Sequence, residues 1–175
     1  MNLSQYASTM ATYNAWMNER LYDLCAGLTD EARKRDMGAF FKSIHGTLNH
    51  LLLADRVWMG RFTGKPFAVR SLDQEIYADF AELRSQRSRT DGDITAWVAS
   101  LDAKDFERDF SYTSIAKPQP RSAPLWLAIT HFFNHQTHHR GQLTTLMKQL
   151  GIDPGVTDLI WMPDVTSSMR GTTRA

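Results

Sequence analysis

Along the first thirty residues the larger apolar side chains recur at Tyr6, Met10, Tyr13, Met17, Leu21, Leu24 and Leu28, in steps of four and three that share one helical face. A second stripe runs through Phe40, Phe41, Ile44, Leu48, Leu51, Leu52, Asp55, Trp58, Met59 and Phe62, and stops at Gly64 and Pro66. Between the two, residues 29–37 (TDEARKRDM) are charged and offer Thr29 or Asp30 as a cap, which predicts a connector or the first turn of a short helix. A third pattern opens at Ser71 or Asp73 and carries Ile76, Tyr77, Phe80, Leu83, Ile94, Trp97, Val98 and Leu101. Thr90, Asp91 and Gly92 weaken it in the middle, so it predicts either one bent helix or two.

The rhythm then changes. Phe106, Arg108, Phe110 and Tyr112 alternate and Pro118 and Pro120 turn the chain, predicting a small hairpin or extended loop over residues 105–123. Pro124 suits the first position of a helix after Ser122, and a last stripe runs through Leu125, Ile129, Phe132, Phe133, Leu143, Leu146 and Leu150 to Gly151. The tail carries Leu159, Ile160, Trp161 and Met162 and is expected to pack back on the helices. Four long amphipathic helices with short connections predict an all-α four-helix bundle, in which inward side chains of facing helices build any site. Most of Trp16, Trp58, Trp97, Trp126 and Trp161 are expected in its core.

Composition narrows this picture without redirecting it. A chain of 175 residues fills one sizeable core and is short for two, so residues 1–175 are read as one domain. A net charge of +1 gives no basic surplus for nucleic acid, and Arg84, Arg87 and Arg89, followed by Asp91 and Asp93, read as a solvated face. No apolar run reaches the roughly 18 residues of a membrane span. The N-terminus has no basic residue before Arg20 and no unbroken apolar core, unlike a secretory signal. The one cysteine, Cys25, forms no internal disulfide and sits in apolar LYDLCAGL, so it reads as a packing residue in a reducing, cytoplasmic setting.

The chemistry gathers in HFFNHQTHHRGQ, residues 131–142, which hold four of the six histidines. Positions four apart lie about 40° apart on a helix and one turn along it, so His135 and His139 can present two nitrogens to one point, as in many zinc sites. His131, a turn earlier, is an alternative or outer partner, whereas His138 points elsewhere. Gln136 stands where a zinc protease of the HExxH type needs its glutamate, which argues against that chemistry. No Glu-x-x-His pair suggests a di-iron site either. A third ligand must come from His45 or His50 on the second helix. His50 shares its stripe with the small Ser43, Thr47, Ala54 and Val57, but spacing alone decides for neither. Gly141, in mid-helix, costs about 1 kcal/mol against Ala and suggests a close approach by a backbone or ligand.

NHQTHHRGQ, the upstream TLNHLLLADRVW and the opening YNAWMNERLYDL together resemble the DinB/YfiT family of metal-dependent bundle proteins over nearly the whole chain. The resemblance implies an up-down-down-up four-helix bundle with a three-histidine site, one ligand on the second helix and two on the last. Carried onto this chain the ligands are His50, His135 and His139, for a divalent ion such as zinc, nickel, iron or manganese. It also implies a homodimer and, from relatives that are thiol transferases or thiol-dependent isomerases, a small-molecule thiol substrate. The functional expectation is a metal-dependent S-transferase or related hydrolase or isomerase, acting on neither nucleic acid nor membrane. The alternative is a non-catalytic metal-binding protein of the stress response. His131 is the outer-sphere candidate, and Asp55 or Arg140 are candidates for orienting a ligand.

Overall fold

The computed structural model describes residues 2–115, 117–163 and 165. Its helices are α1 (Leu3–Ala26), α2 (Asp30–Lys34), α3 (Ile44–Thr63), α4 (Phe80–Ala99) and α5 (Leu125–Gln149), with strands β1 (Asp109–Thr113) and β2 (Pro120–Pro124) before α5. Side-chain caps set most of the starts. Asn2, Thr29, Ser43 and Asp79 each accept a backbone N–H of the first turn that has no partner inside its helix. Gly64, in the left-handed region at φ 70°, ends α3.

Contacts between helices give their directions. Asn14 and Asn18 meet Asp91 while Asp23 meets Arg84, so α1 and α4 are antiparallel. His50 meets His139 and Trp58 meets His131, so α3 and α5 are antiparallel. Asp55 meets Arg87 and Phe62 stacks on Trp97, so α3 and α4 run the same way. The bundle is up, down, down, up. A parallel pair needs a connection that returns the length of a helix, and residues 64–79 supply it. The antiparallel hairpin, with Phe110 opposite Ala123 and Tyr112 opposite Arg121, closes the end of the bundle where α5 begins.

Several expectations change for identifiable reasons. The third helix begins at Phe80 rather than Ser71 or Asp73, because Asn49 Oδ1 accepts the backbone N–H groups of Ile76 and Tyr77, both at 2.9 Å. Those amides are therefore unavailable to a helix. That helix is also continuous through Thr90, Asp91 and Gly92. Phe40 and Phe41 precede α3, in a turn where Ala39 bridges Lys42 and Lys42 has φ 64°. Pro124 is extended at ψ 142° and closes β2, so α5 starts one residue later. Gly141 lies on open surface, where an added Cβ would meet nothing within 4 Å. The crowded glycines are Gly46, where a Cβ would collide with the Phe41 carbonyl, and Gly60, where it would lie 2.7 Å from the Lys65 carbonyl oxygen. Of the tryptophans only Trp58 is buried, and Trp161 is 62% exposed. The tail does return to α1 through Tyr13 and Arg20, with Met162 buried and Trp161 outward.

The core has two apolar halves with a polar layer between them. Met17, Leu21, Leu48, Leu83 and Leu143 belong to one half, and Trp58, Phe62, Ile94, Phe106 and Phe132 to the other. At mid-height all four long helices contribute polar groups. Arg87 pairs with Asp55 at 2.6 Å and with Asp91 at 2.8 Å. Asn14 and Asn18 donate to Asp91, Gln136 donates to Asp55, and Arg140 donates to Asn14. Arg87 is thus a buried partner of two carboxylates at 2% exposure, which corrects its reading as a solvated residue. Asp55 and Arg140 belong to this layer as well.

Removing one member of a buried ion pair strands the others without solvent, at a cost of about 3–5 kcal/mol. Arg87→Leu leaves both Asp55 and Asp91 unpaired, so its urea midpoint is expected to fall by that equivalent with the m-value unchanged. Equilibrium urea denaturation followed by circular dichroism reads this directly.

Candidate metal centre

Beside the polar layer, α3 and α5 bring three imidazoles to one point. His50 Nε2 lies 3.2 Å from His139 Nε2, which lies 3.1 Å from His135 Nε2, and the three nitrogens all fall within 4.8 Å of one another. Two nitrogens bound at ~2.0–2.1 Å to a tetrahedral ion sit about 3.3–3.4 Å apart, close to what is found. The outer hydrogen bonds decide which nitrogens carry protons. His50 Nδ1 donates to the Leu72 carbonyl at 2.7 Å, and His139 Nδ1 donates to Gln142 Oε1 at 2.8 Å. With the protons held there, the Nε2 atoms of His50 and His139 are both acceptors that face each other, an arrangement a cation relieves. The donor set therefore fits a divalent ion.

Burial keeps these rings neutral. It holds His135 down at about 3, with the neighbouring His139 and His50 adding to the effect, and His50 down at about 4 despite the Leu72 carbonyl. His139 is also lowered, chiefly by burial. Neutral imidazole is the form that binds metal.

The surroundings hold the trio in place. Phe41 stacks on His50 at 3.8 Å between centroids and 16° between planes, and meets the edge of His139 at 5.4 Å. Gly46 allows that contact, because any side chain there would strike the Phe41 backbone. The remaining histidines lie outside the trio. His45 is buried and donates from Nε2 to the Tyr77 carbonyl at 2.9 Å, helping Asn49 anchor the α3–α4 connection. His131 is exposed, 6.1 Å from His135 between ring centroids and 5.1 Å from Trp58. His138 is exposed and approaches Gln142. Gln136 is fully buried and turned to Asp55, away from the imidazoles. The supporting roles of Phe41, Leu72 and Gln142 were not foreseen; only Gln142, three residues after His139, left a signal in the helical spacing.

The DinB family model matches residues 1–174. Protein DinB of Bacillus subtilis (strain 168) is 25% identical over 167 residues, covering 89% of this chain and 92% of that protein. A crystal structure of a DinB-like protein from Bacillus cereus ATCC 10987 superposes with a TM-score of 0.57 at 22% identity, covering 80% of this chain and 90% of that one, and shares the fold. Among the described residues no helix is long and apolar enough to cross a membrane.

The depressed histidine values have a consequence for the metal-free protein. Their folded pKa values lie below the ordinary value of about 6.5, so the unfolded chain binds more protons as the pH falls. The stability involved is fully present above about pH 6.5 and is lost progressively as the pH drops through about 4 toward about 3. The metal-free urea midpoint is expected to decline across that window, and a His50→Gln/His135→Gln variant to show a shallower decline.

Proposed function

Because the chain belongs to the DinB family, we propose that it is a divalent-metal-binding protein and a metal-dependent enzyme, with His50, His135 and His139 as its ligands. The observation that carries the reading is the pair of acceptor nitrogens of His50 and His139 facing each other at 3.2 Å, with His135 beside them. Three imidazoles leave coordination positions open, the pattern of catalytic rather than structural sites. All-imidazole ligation suits zinc, nickel, iron and manganese alike.

The reaction proposed is transfer to or from a small-molecule thiol, or a related hydrolysis or isomerisation. A bound divalent ion would lower the pKa of a thiol or water. The chain's own residues do the rest. The Leu72 carbonyl and the Gln142 side chain keep protons on the Nδ1 atoms, so that the Nε2 lone pairs point inward. Phe41 covers one face of His50 and excludes water from that side. His131, a turn from His135, is the outer imidazole proposed to exchange a proton with the reacting thiol or water. The proposal includes a homodimer, which would cover exposed Phe40 and Trp161 and which sedimentation velocity tests.

Elemental analysis of untagged protein, beside a His135→Ala/His139→Ala variant, tests the reading. The parent is expected to hold close to one equivalent of divalent metal and the variant almost none, with unchanged helical circular dichroism. A parent without metal even after reconstitution overturns the proposal.

A further inference from the structure

Arg61 follows His50 on α3 by three turns and about 20° around the axis, so the two leave one face of the helix about 16 Å apart. Between them that face carries only Ala54 and Val57, both small and both buried, at 5% and 6% exposure. The α3–α4 connection runs along one flank. It crosses α3 at Gly60, where Lys65 and Phe67 press on the glycine, and reaches His50 through the Leu72 carbonyl. Along the other flank, His131 lies between His135 and Trp58. Tyr112 of the hairpin, 5.0 Å from Trp58, closes the far end. A strip with the histidine trio at one end therefore has a guanidinium at the other.

That guanidinium is built in. It lies 4.7 Å from the Trp58 ring centroid and 4.8 Å from that of Tyr112, and it donates to the Thr113 carbonyl at 3.1 Å. This uses one of its five N–H donors, and among the described residues no carboxylate pairs with it. Helical side chains lean toward the N-terminus, which brings the charge back along α3 toward the trio. A half-buried guanidinium held against two rings is pre-organised to grip a planar carboxylate with two parallel hydrogen bonds.

We propose that Arg61 is the anion-recognising residue of the substrate site and binds the carboxylate end of an extended small molecule whose thiol end reaches the histidine trio. The inference rests on the metal-centred reading above and adds to it a length and a charge for the substrate. A single guanidinium matches the single charge of a carboxylate. The strip selects thiols long enough to span it.

The test uses the full chain loaded with cobalt(II) and four probes: mercaptoundecanoic acid, mercaptoundecanol, mercaptopropionic acid and mercaptopropanol. Binding is read from the sulfur-to-cobalt charge-transfer absorption. The long acid is expected to bind at least tenfold more tightly than the long alcohol, whereas the short pair shows no such difference. In Arg61→Gln, which keeps a donor for Thr113, the long-chain ratio falls to about one, and in Arg61→Lys it is intermediate. Both probes meet the same protein, so a simple loss of packing lowers both affinities and leaves the ratio unmoved. An acid-to-alcohol ratio that is equal in the parent and Arg61→Gln overturns the role of Arg61 while leaving the metal-centred reading intact. Absence of the absorption band with every probe, in protein that holds cobalt, overturns this inference together with the proposed thiol chemistry, while metal binding by the trio stands on its own elemental analysis.

Discussion

Everything in this bundle is registered by the buried pairing of Arg87 with Asp55 and Asp91. Charges removed from water are tolerated only when their partners are in place, and here those partners come from all four long helices. Apolar stripes alone would let one helix slide past another by a turn, about 5.4 Å, at modest cost. A polar layer between two apolar halves does not allow it, because a slipped helix would leave an ion or an amide unpaired in the interior. The layer thus supplies positional specificity, whereas the apolar halves supply most of the driving force.

The histidine trio is set by this registration. Asp55 lies about one and a half turns beyond His50 on α3, and Gln136 adjoins His135 on α5, so the Asp55–Gln136 hydrogen bond fixes the height at which the imidazoles face one another. The rotation of each ring is then fixed from outside, by the Leu72 carbonyl, by Gln142 and by the stacked Phe41. Deep packing holds the rings neutral, and neutral rings with inward lone pairs are suited to a cation. The α3–α4 connection, needed first to return the chain to the start of a parallel helix, also supplies the Leu72 contact. It flanks the strip that leads to Arg61 as well.

Much of the fold was legible because amphipathic stripes are local and periodic, and each of the four long helices overlaps its stripe. The errors arose where distant groups intervened. Ile76 and Tyr77 continue a helical pattern, yet their amides are taken by Asn49, a residue on another helix. Arg87 sits in a run of charges and looks solvated, but Asp91 one turn on, Asn14 and Asn18 one turn apart, and Asp55 within an apolar stripe were the local traces of a buried layer. The His135–His139 clip was legible from spacing. The choice between His45 and His50 was not, because these two point about 140° apart on α3 and only the rotation of that helix decides which faces α5. The resemblance to the family named His50, and the structure brings that residue to the pair. Glycine misled in the opposite sense, since Gly141 is open and Gly46, next to His45, is the one that admits Phe41 to the site.

X-ray absorption at the zinc edge of zinc-loaded protein tests the central claim most directly, since it counts and identifies the atoms around the ion. The account predicts the multiple-scattering pattern of three imidazoles at ~2.0 Å, completed by one or two solvent oxygens. A first shell without imidazole scattering, or one filled by carboxylate oxygens or sulfur from the protein, would contradict it.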